Sequence, residues 1–491
     1  MAIEHLDAAY RMRTRWDFGL AIKGLVHYVR VPTYWAIWKL LLPSFLHGPS
    51  SHEREKKHKV PSNSSLQGLR GIAAAIVFHR HLLMSFSEFP DYGYGVDKTI
   101  ELGLANRWIH QLQFLRLIYS GGAMVQLFFI VSGYTQSLKP LQQMQKEQWD
   151  AVHKSLSSAI FRRGFRLFLP TFAAAMLIAV SVWLGMYDWG SKFRNTWFEG
   201  DPNQLSRERT LFSQAWVTFQ SFKGLLNVWN WDEYFPKFNP HMWTIAVEFR
   251  CSLAVQFTLL SLSMVQPVPR VIILTSMIWY CHGHGRWDCV CFLGGLFLAN
   301  INVTWRLRSG GETCHLGSKY PTRPGWEGGS KVRTILGSVV FLAGLYLMGY
   351  PKKDGLHTPG YRKMASYTPD SWIDHRFWSA WGAFFVVASI TNAPVLARLF
   401  ENSLFQYLGK ISYAMYLVHG PVLHIIAFVF IPMLWLVTGK ENIVCRVLGF
   451  EMATCFVTIP ILVWTADLFW RFVDMPCGDF TFWLKTKILA A

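Results

Sequence analysis

Charge is scarce in this chain. Only 16% of its 491 residues are Asp, Glu, Lys or Arg, against about a quarter in a typical soluble domain, and that deficit argues against a soluble globular enzyme. Acidic residues are the scarcer sign, 30 against 48 basic, which leaves a formal charge of +18. In a soluble protein such an excess would point to nucleic acid. Here the Lys and Arg sit in loops between apolar runs, where retention of cytoplasmic loops accounts for them, so no nucleic-acid partner is expected. No Gly-rich phosphate loop, Walker motif or dinucleotide fingerprint is present, which removes the common nucleotide-binding classes. Cysteine is sparse too: the eight residues show no regular disulfide spacing. Cys281, His282, His284, Cys289 and Cys291 read C-H-x-H-x4-C-x-C, which is not a standard zinc pattern, so no bound metal is expected. The N-terminal MAIEHLDAAYRMRTRW lacks the apolar run of a cleaved signal peptide.

Long apolar runs are what the chain has instead. Hydrophobic residues make up 52%, with 23 Trp and 37 Phe, and mean hydropathy is +0.20. Read by length and apolarity, spans fall near 67–87, 120–138, 165–187, 242–264, 269–282, 287–303, 334–350, 377–397, 411–433 and 445–470. They predict an all-α polytopic membrane protein, a bundle of about ten transmembrane helices. The stretch 33–47, interrupted by Lys39 and Pro43, is expected to lie in the membrane interface. The amphipathic run 211–230 is expected on the opposite interface or folded over the bundle as a lid. With a cytoplasmic N-terminus, segments 1–66, 139–164 and 304–333 are cytoplasmic, and each is basic, whereas 188–240 and 351–376 have no strong excess of either sign. An even number of spans returns the C-terminus to the cytoplasm, and an endomembrane such as the endoplasmic reticulum is the expected location. The sequons at Asn63 and Asn302 then face the cytoplasm and are expected to be unused.

Within the first span, Leu66 to Leu83, LQGLRGIAAAIVFHRHLL, four ionisable residues stand in an apolar run: Arg70, His79, Arg80 and His81. Ionisable groups at membrane depth are expensive and by default functional. Residues eleven apart complete almost three helical turns and share a face, while residues nine apart lie on opposite faces. Arg70 therefore aligns with His81 and not with His79. The helical rise separates Arg70 and His81 by about 16 Å along the axis, which would let an anionic carrier be gripped at the surface while proton chemistry occurs at its far end.

Several blocks then resemble, in order, the membrane-bound acyltransferase 3 family, and more narrowly its fungal members. They are the LRG segment ending in His81, VQLFFIVSGY (Val125 to Tyr134), FRRGFRLFLP with Arg163, Arg166 and Pro170, HMWTIAVEF around Trp243 and Glu248, CFLGGLFLA (Cys291 to Ala299), and LGKISYAMYLVHGPV (Leu408 to Val422). The resemblance covers about 65 to 476 and divides the chain into a basic cytoplasmic segment over 1–64 with the interfacial stretch, an acyltransferase 3-like transmembrane domain over 65–476, and a cytoplasmic tail over 477–491. It implies transfer of an acyl group, usually acetyl from acetyl-coenzyme A as co-substrate, to a hydroxyl on a small-molecule acceptor, with no permanently bound cofactor.

On this resemblance His81 and Glu248 are the catalytic candidates, Arg70, Arg163 and Arg166 hold the acyl-CoA, and His79, Ser132, Trp243 and His419 are candidates to line the site. The chemistry is apt, because arginine recognises phosphate through a planar, permanently charged fork. Alternatives stay open. The arginines can anchor a helix end at lipid headgroups, and His81 can act as general base, as covalent acyl carrier or as packing. Glu248 can orient His81, neutralise an arginine or form a structural ion pair. The chain departs from the common family pattern at Gln67 and Gly68, in having two histidines in the first block, and at Asp474 in the closing VDMP. No soluble hydrolase-like domain follows the last span, which favours a hydrophobic hydroxylated natural product over a large polysaccharide. Sugar or lipid acylation and membrane transport are the competing readings.

Overall fold

The computed structural model describes residues 41–46, 64–96, 99–100, 104–105, 107–191, 205–308 and 327–488. Apart from a two-residue antiparallel pairing of Thr99–Ile100 with Leu104–Ala105, these residues form helices and their connections. The principal helices are α1 Ser64–Met84, α2 Gly121–Gln145, α3 Trp149–Trp183, α4 Leu211–Leu226, α5 Thr244–Ser261, α6 Pro267–Gly283, α7 Trp287–Arg308, α8 Glu327–Met348 and α9 Asp374–Asn392. The last two, α10 Ser403–Thr438 and α11 Ile443–Ile488, are long compound helices. Each of the ten apolar segments read from the sequence falls on one of these helices. Four described helices, α3, α7, α10 and α11, are long and apolar enough to cross a membrane. The compound helices α10 and α11 are interrupted by π-helical turns at Leu423–Ala427, Thr454–Thr458 and Trp470–Asp474. Each turn lies within two residues of a proline, Pro421, Pro460 or Pro476, where a missing backbone N–H disturbs the regular ladder.

Segment 139–164, expected as a basic loop, is helical except for the corner at 146–148. Arg163 and Arg166 therefore stand in the middle of α3. Between Trp149 and Pro170 the chain has one glycine, Gly164, and no proline, and the helix runs on through both Gly164 and Pro170. Of the stretch expected in the interface, residues 41–46 are described. They are held to α11 by Ser44, which donates from its backbone N and its Oγ to Asp467 at 3.0 and 2.5 Å, and by Trp464 and Arg471, which donate to the carbonyls of Leu41 and Leu42. Leu41, Leu42, Phe45 and Leu46 project outward. Helix α4 is capped by Thr210, whose hydroxyl accepts from Ser213 N, and packs on α3 through Phe222 against Phe172. Sequon residue Asn302 is buried in α7 and donates to the Tyr134 hydroxyl at 3.1 Å, while Asn63 lies outside the described residues.

Two packed bodies make up the interior. One gathers α2, α6, α7 and α9, the other α4, α10, α11 and most of α3. Helices α1 and α5 belong to both. On α1, Leu69, Ala73 and Val77 face the first body, and Ala74, Phe78 and Leu82 face the second. At about 100° per residue, Arg70 and His81 fall in the narrow sector between those two faces, and His79 falls outside it. Helix α5 repeats the pattern: Val247, Cys251, Val255 and Leu259 pack into the first body and Ile245 into the second, with Glu248 and Ser252 between. The seam between the bodies is thus lined by polar residues of both shared helices.

Candidate active site

Close helix contact sets the geometry. Helices in lipid associate through packing more than through hydrophobic burial, so small residues mark where backbones approach. On α1, a Cβ added to Gly71 would lie 2.5 Å from the backbone N of Gly409 on α10, and one added to Gly409 would overlap the Gln67 carbonyl. Ten residues beyond Gly71 stands His81, and ten beyond Gly409 stands His419. Their rings stack at a centroid distance of 5.3 Å, so α1 and α10 run parallel in register from the glycine contact to the histidine contact.

A third imidazole completes the group. His241 lies 3.7 Å from His81 and 4.9 Å from His419, ring centre to ring centre. It sits in a 3₁₀ turn, Pro240–Trp243, opened by Asn239, whose side-chain oxygen accepts from His241 N at 3.3 Å. Tyr416 holds the turn from α10, donating to the His241 carbonyl and meeting the Thr244 hydroxyl at 2.7 Å. The Tyr416 carbonyl is in turn 2.7 Å from His419 Nδ1. A carbonyl can only accept, so Nδ1 carries the proton, and in the neutral ring Nε2 is left as an acceptor. That Nε2 is buried and has no hydrogen-bond partner among the described residues.

The second half of the site lies toward the N-terminal end of α1. Arg163 on α3 pairs with Glu248 on α5 at 2.6 Å and donates from Nε to Ser252 Oγ at 3.0 Å. Ser132 on α2 donates to the same Glu248 oxygen at 3.4 Å. Arg70 lies in the electrostatic field of Glu248, Arg166, Arg163 and Asp474, its Nε buried without a hydrogen-bond partner among the described residues. Asp474, the departure in the closing motif, comes from α11 to face Arg166 and Arg70. Three guanidiniums thus face two carboxylates. The excess positive charge and the unpartnered Nε of Arg70 suit a polyanionic ligand.

The structure therefore assembles most of the residues read from sequence, in two places. His81 and His419 meet with His241, while Arg70, Arg163, Arg166, Glu248 and Ser132 meet with Asp474. Glu248 serves Arg163 and Ser132, not the imidazoles, which favours the counter-ion role over the catalytic one. Two residues are not brought in. His79 directs Nδ1 to the Ile118 carbonyl at 2.8 Å, on the far side of α1 from His81. The Trp243 ring packs on Phe235 and Trp287 at 5.8 and 6.1 Å. His241 and Tyr416 were not assigned from sequence, although both lie inside the quoted HMWTIAVEF and LGKISYAMYLVHGPV blocks. Two groups have donor atoms within 4.8 Å of one another, close enough to share a metal ion: His81, His241 and His419, and Cys251, Asp288 and Cys289. In the first, the His419 ring stacks on both others while His81 and His241 are tilted by 43° to each other, and in the second the Oδ2 of Asp288 already serves two arginines. The remaining members of the Cys/His cluster disperse: His282 packs on Trp372 and His284 on Tyr280.

Residues 63–468 match a family described as Acyltransferase domain, acyltransferase 3. Acyltransferase clz18 of Cochliobolus lunatus is 27% identical over 450 residues, 85% of this chain and 94% of the relative. Acyltransferase R4 of a Phoma species is 27% identical over 458 residues, 85% and 94% respectively. O-acetyltransferase PaAT-1 of Phomopsis amygdali is 28% identical over 467 residues, 92% of this chain and 89% of the relative. No solved structure matches the chain. With the family match covering every residue of the seam site except Asp474, the chain belongs to the acyltransferase 3 family and is an acyltransferase.

Proposed function

We propose that this protein is an integral-membrane O-acyltransferase that moves an acetyl group from acetyl-coenzyme A to a hydroxyl of a small hydrophobic acceptor, such as a secondary metabolite. The observation that carries the reading is the seam itself, where His81 meets two further imidazoles while Arg70, aligned on the same helix face, joins two more arginines. Ten spans with both termini cytoplasmic, in an endomembrane, form part of the same reading. This topology presents Arg70, Arg163 and Arg166 to cytoplasmic coenzyme A.

In the transfer, the acceptor oxygen attacks the thioester carbonyl, the carbon–sulfur bond breaks and an ester carbon–oxygen bond forms. An imidazole takes the hydroxyl proton and returns it to the departing thiolate. His81 is the base in this scheme, and an acyl-histidine intermediate would divide the same transfer into two steps. Burying the thioester end among the three imidazoles, with the phosphates held by arginine forks, fixes the reacting atoms instead of leaving them to collide. The relative named an O-acetyltransferase supports the choice of acetyl and of oxygen. The test is incubation of membranes containing the protein with labelled acetyl-coenzyme A and a panel of hydroxylated terpenoids, polyketides, sugars and lipids. Label is expected in a hydrophobic ester. Transfer confined to sugars or lipid headgroups would move the acceptor to another class, and no transfer to any member would count against the reading.

A further inference from the structure

Behind α5, on the side away from Glu248, lies a cavity of about 150 Å³ between the segment after α4, the α6–α7 corner and the start of α9. Its lining includes three arginines, Arg250, Arg286 and Arg376, two carboxylates, Glu233 and Asp288, and two indoles, of which Trp231 matters here. Arg376 is satisfied, since its two terminal nitrogens meet the two oxygens of Glu233 at 2.6 and 3.1 Å. Arg250 and Arg286 are satisfied only in part, although Arg250 Nη1 also donates to the carbonyls of Val228 and Asn230 at 3.2 and 2.7 Å. Both guanidiniums lie over the Trp231 ring, at 4.2 and 4.4 Å from its centre, and both share one oxygen, Oδ2, of Asp288 at 3.1 and 2.5 Å. One carboxylate thus serves two cations. Arg250 and Asp288 are almost fully buried, and three atoms of this set, Arg250 Nε, Arg286 Nε and Asp288 Oδ1, have no hydrogen-bond partner among the described residues.

Buried polar groups are rarely left unpaired, and the missing partner is defined by what is unsatisfied: two N–H donors need acceptors, one carboxylate oxygen needs a donor, and one positive charge needs compensation. We propose that this cavity binds a small oxyanion that carries its own hydroxyl, of the hydrogen phosphate class. Its bare oxygens accept from Arg250 Nε and Arg286 Nε, and its P–OH donates to Asp288 Oδ1. The volume holds several waters or one tetrahedral ion. The bound ion joins Arg250 of α5 to the α6–α7 corner and, through Trp231, to the segment that leads into the His241 turn. It therefore steadies the segment that carries the His241 turn without touching the imidazoles. The proposal does not depend on which acceptor the enzyme uses.

The test uses the full-length protein in detergent, unfolded thermally in phosphate, sulfate or chloride of matched ionic strength. Phosphate is expected to raise the unfolding temperature in a saturable way. Sulfate, which has no hydroxyl at neutral pH and would face Asp288 Oδ1 with a lone pair, is expected to do so far more weakly. Arg286→Gln, at a partly exposed side chain, is expected to raise the half-saturating phosphate concentration about tenfold or more, because a charge-assisted hydrogen bond is lost. Acetyl transfer at saturating substrate is expected to persist in that variant. Glycerol 3-phosphate separates a free ion from a phosphate ester, and the restricted volume predicts that it acts less than free phosphate does. Equal stabilisation by sulfate, an equal effect of the ester, or no phosphate effect would overturn the proposal. So would a response that survives Arg286→Gln and disappears in Arg166→Gln, since that would place the ion in the donor site. The sulfate comparison needs only the wild-type protein, so it decides the matter even where a variant folds poorly.

Discussion

Glu248 offers the sharpest division between a structural and a chemical role. Its carboxylate pairs with Arg163 at 2.6 Å, with about a fifth of each side chain exposed, and it accepts from Ser132. Glu248→Gln keeps the shape and removes the charge, leaving Arg163 with Ser252 and no compensating anion. Removing one partner of a buried pair costs about 3–5 kcal/mol, and the residual exposure places the expected loss at the lower end, about 3 kcal/mol, or a factor of more than 100 in the folding equilibrium. Removing the second charge as well, in Arg163→Gln with Glu248→Gln, abolishes the unpaired cation and should recover a large part of that loss. The assay is a double-mutant cycle on detergent-solubilised protein, measuring stability together with kcat and the KM for acetyl-coenzyme A. The pair should show strong coupling in stability and a raised donor KM, with kcat changed only a few-fold in the Glu248→Gln protein that folds. A well-folded Glu248→Gln protein of wild-type stability whose kcat falls by about 10²–10⁴ would refute the argument, because that is the range expected for loss of a general acid or base.

Three further outcomes follow from the same geometry. Gly409→Val places a branched side chain against the Gln67 carbonyl, so it should reduce folded protein sharply and lower transfer by separating His81 from His419, whereas Gly122→Val, where a Cβ meets nothing within 4 Å, should be tolerated, as yield and activity measured side by side will show. Arg166→Lys retains charge and loses the bidentate fork, so the donor KM should rise while kcat holds, and Arg166→Ala with unchanged donor dependence would return this arginine to a lipid-anchoring role. A glycosylation reporter fused after Ala491 should remain unmodified, and its modification in the lumen would reject an even number of spans.

Much of the seam was legible because helical periodicity acts before any tertiary contact. The eleven-residue interval from Arg70 to His81 already places both on one face of α1 and turns His79 away, and the structure puts that face between the two packed bodies. The glycines of the LRG and LGK blocks were quoted as motif letters, but their physical meaning, a backbone contact that sets His81 beside His419, needs both helices in place. His241 was hidden for a related reason: it stands in a 3₁₀ turn before α5, where α-helical phase does not apply, and it is oriented by the turn's own cap, Asn239, together with Tyr416 from α10. The helix on the N-terminal side of Arg163 and Arg166 was not legible because a basic run reads as a loop, whereas α3 carries that run through its middle and matches it with Glu248 and Asp474. The oxyanion cavity had no sequence signature at all, since its arginines come from separate elements and only their shared carboxylate reveals the excess charge.

The central claim is that His81, and not its neighbour two residues away, performs the proton chemistry of acyl transfer. The most direct measurement compares labelled acetyl transfer by His81→Ala and His79→Ala at equal amounts of inserted protein, with a folding control for each. His81→Ala is expected to lose about 10²-fold or more in turnover, while His79→Ala, which loses only a contact with the Ile118 carbonyl, stays near wild type. Near wild-type transfer by a normally inserted His81→Ala protein, with the loss appearing in His79→Ala instead, would contradict the account.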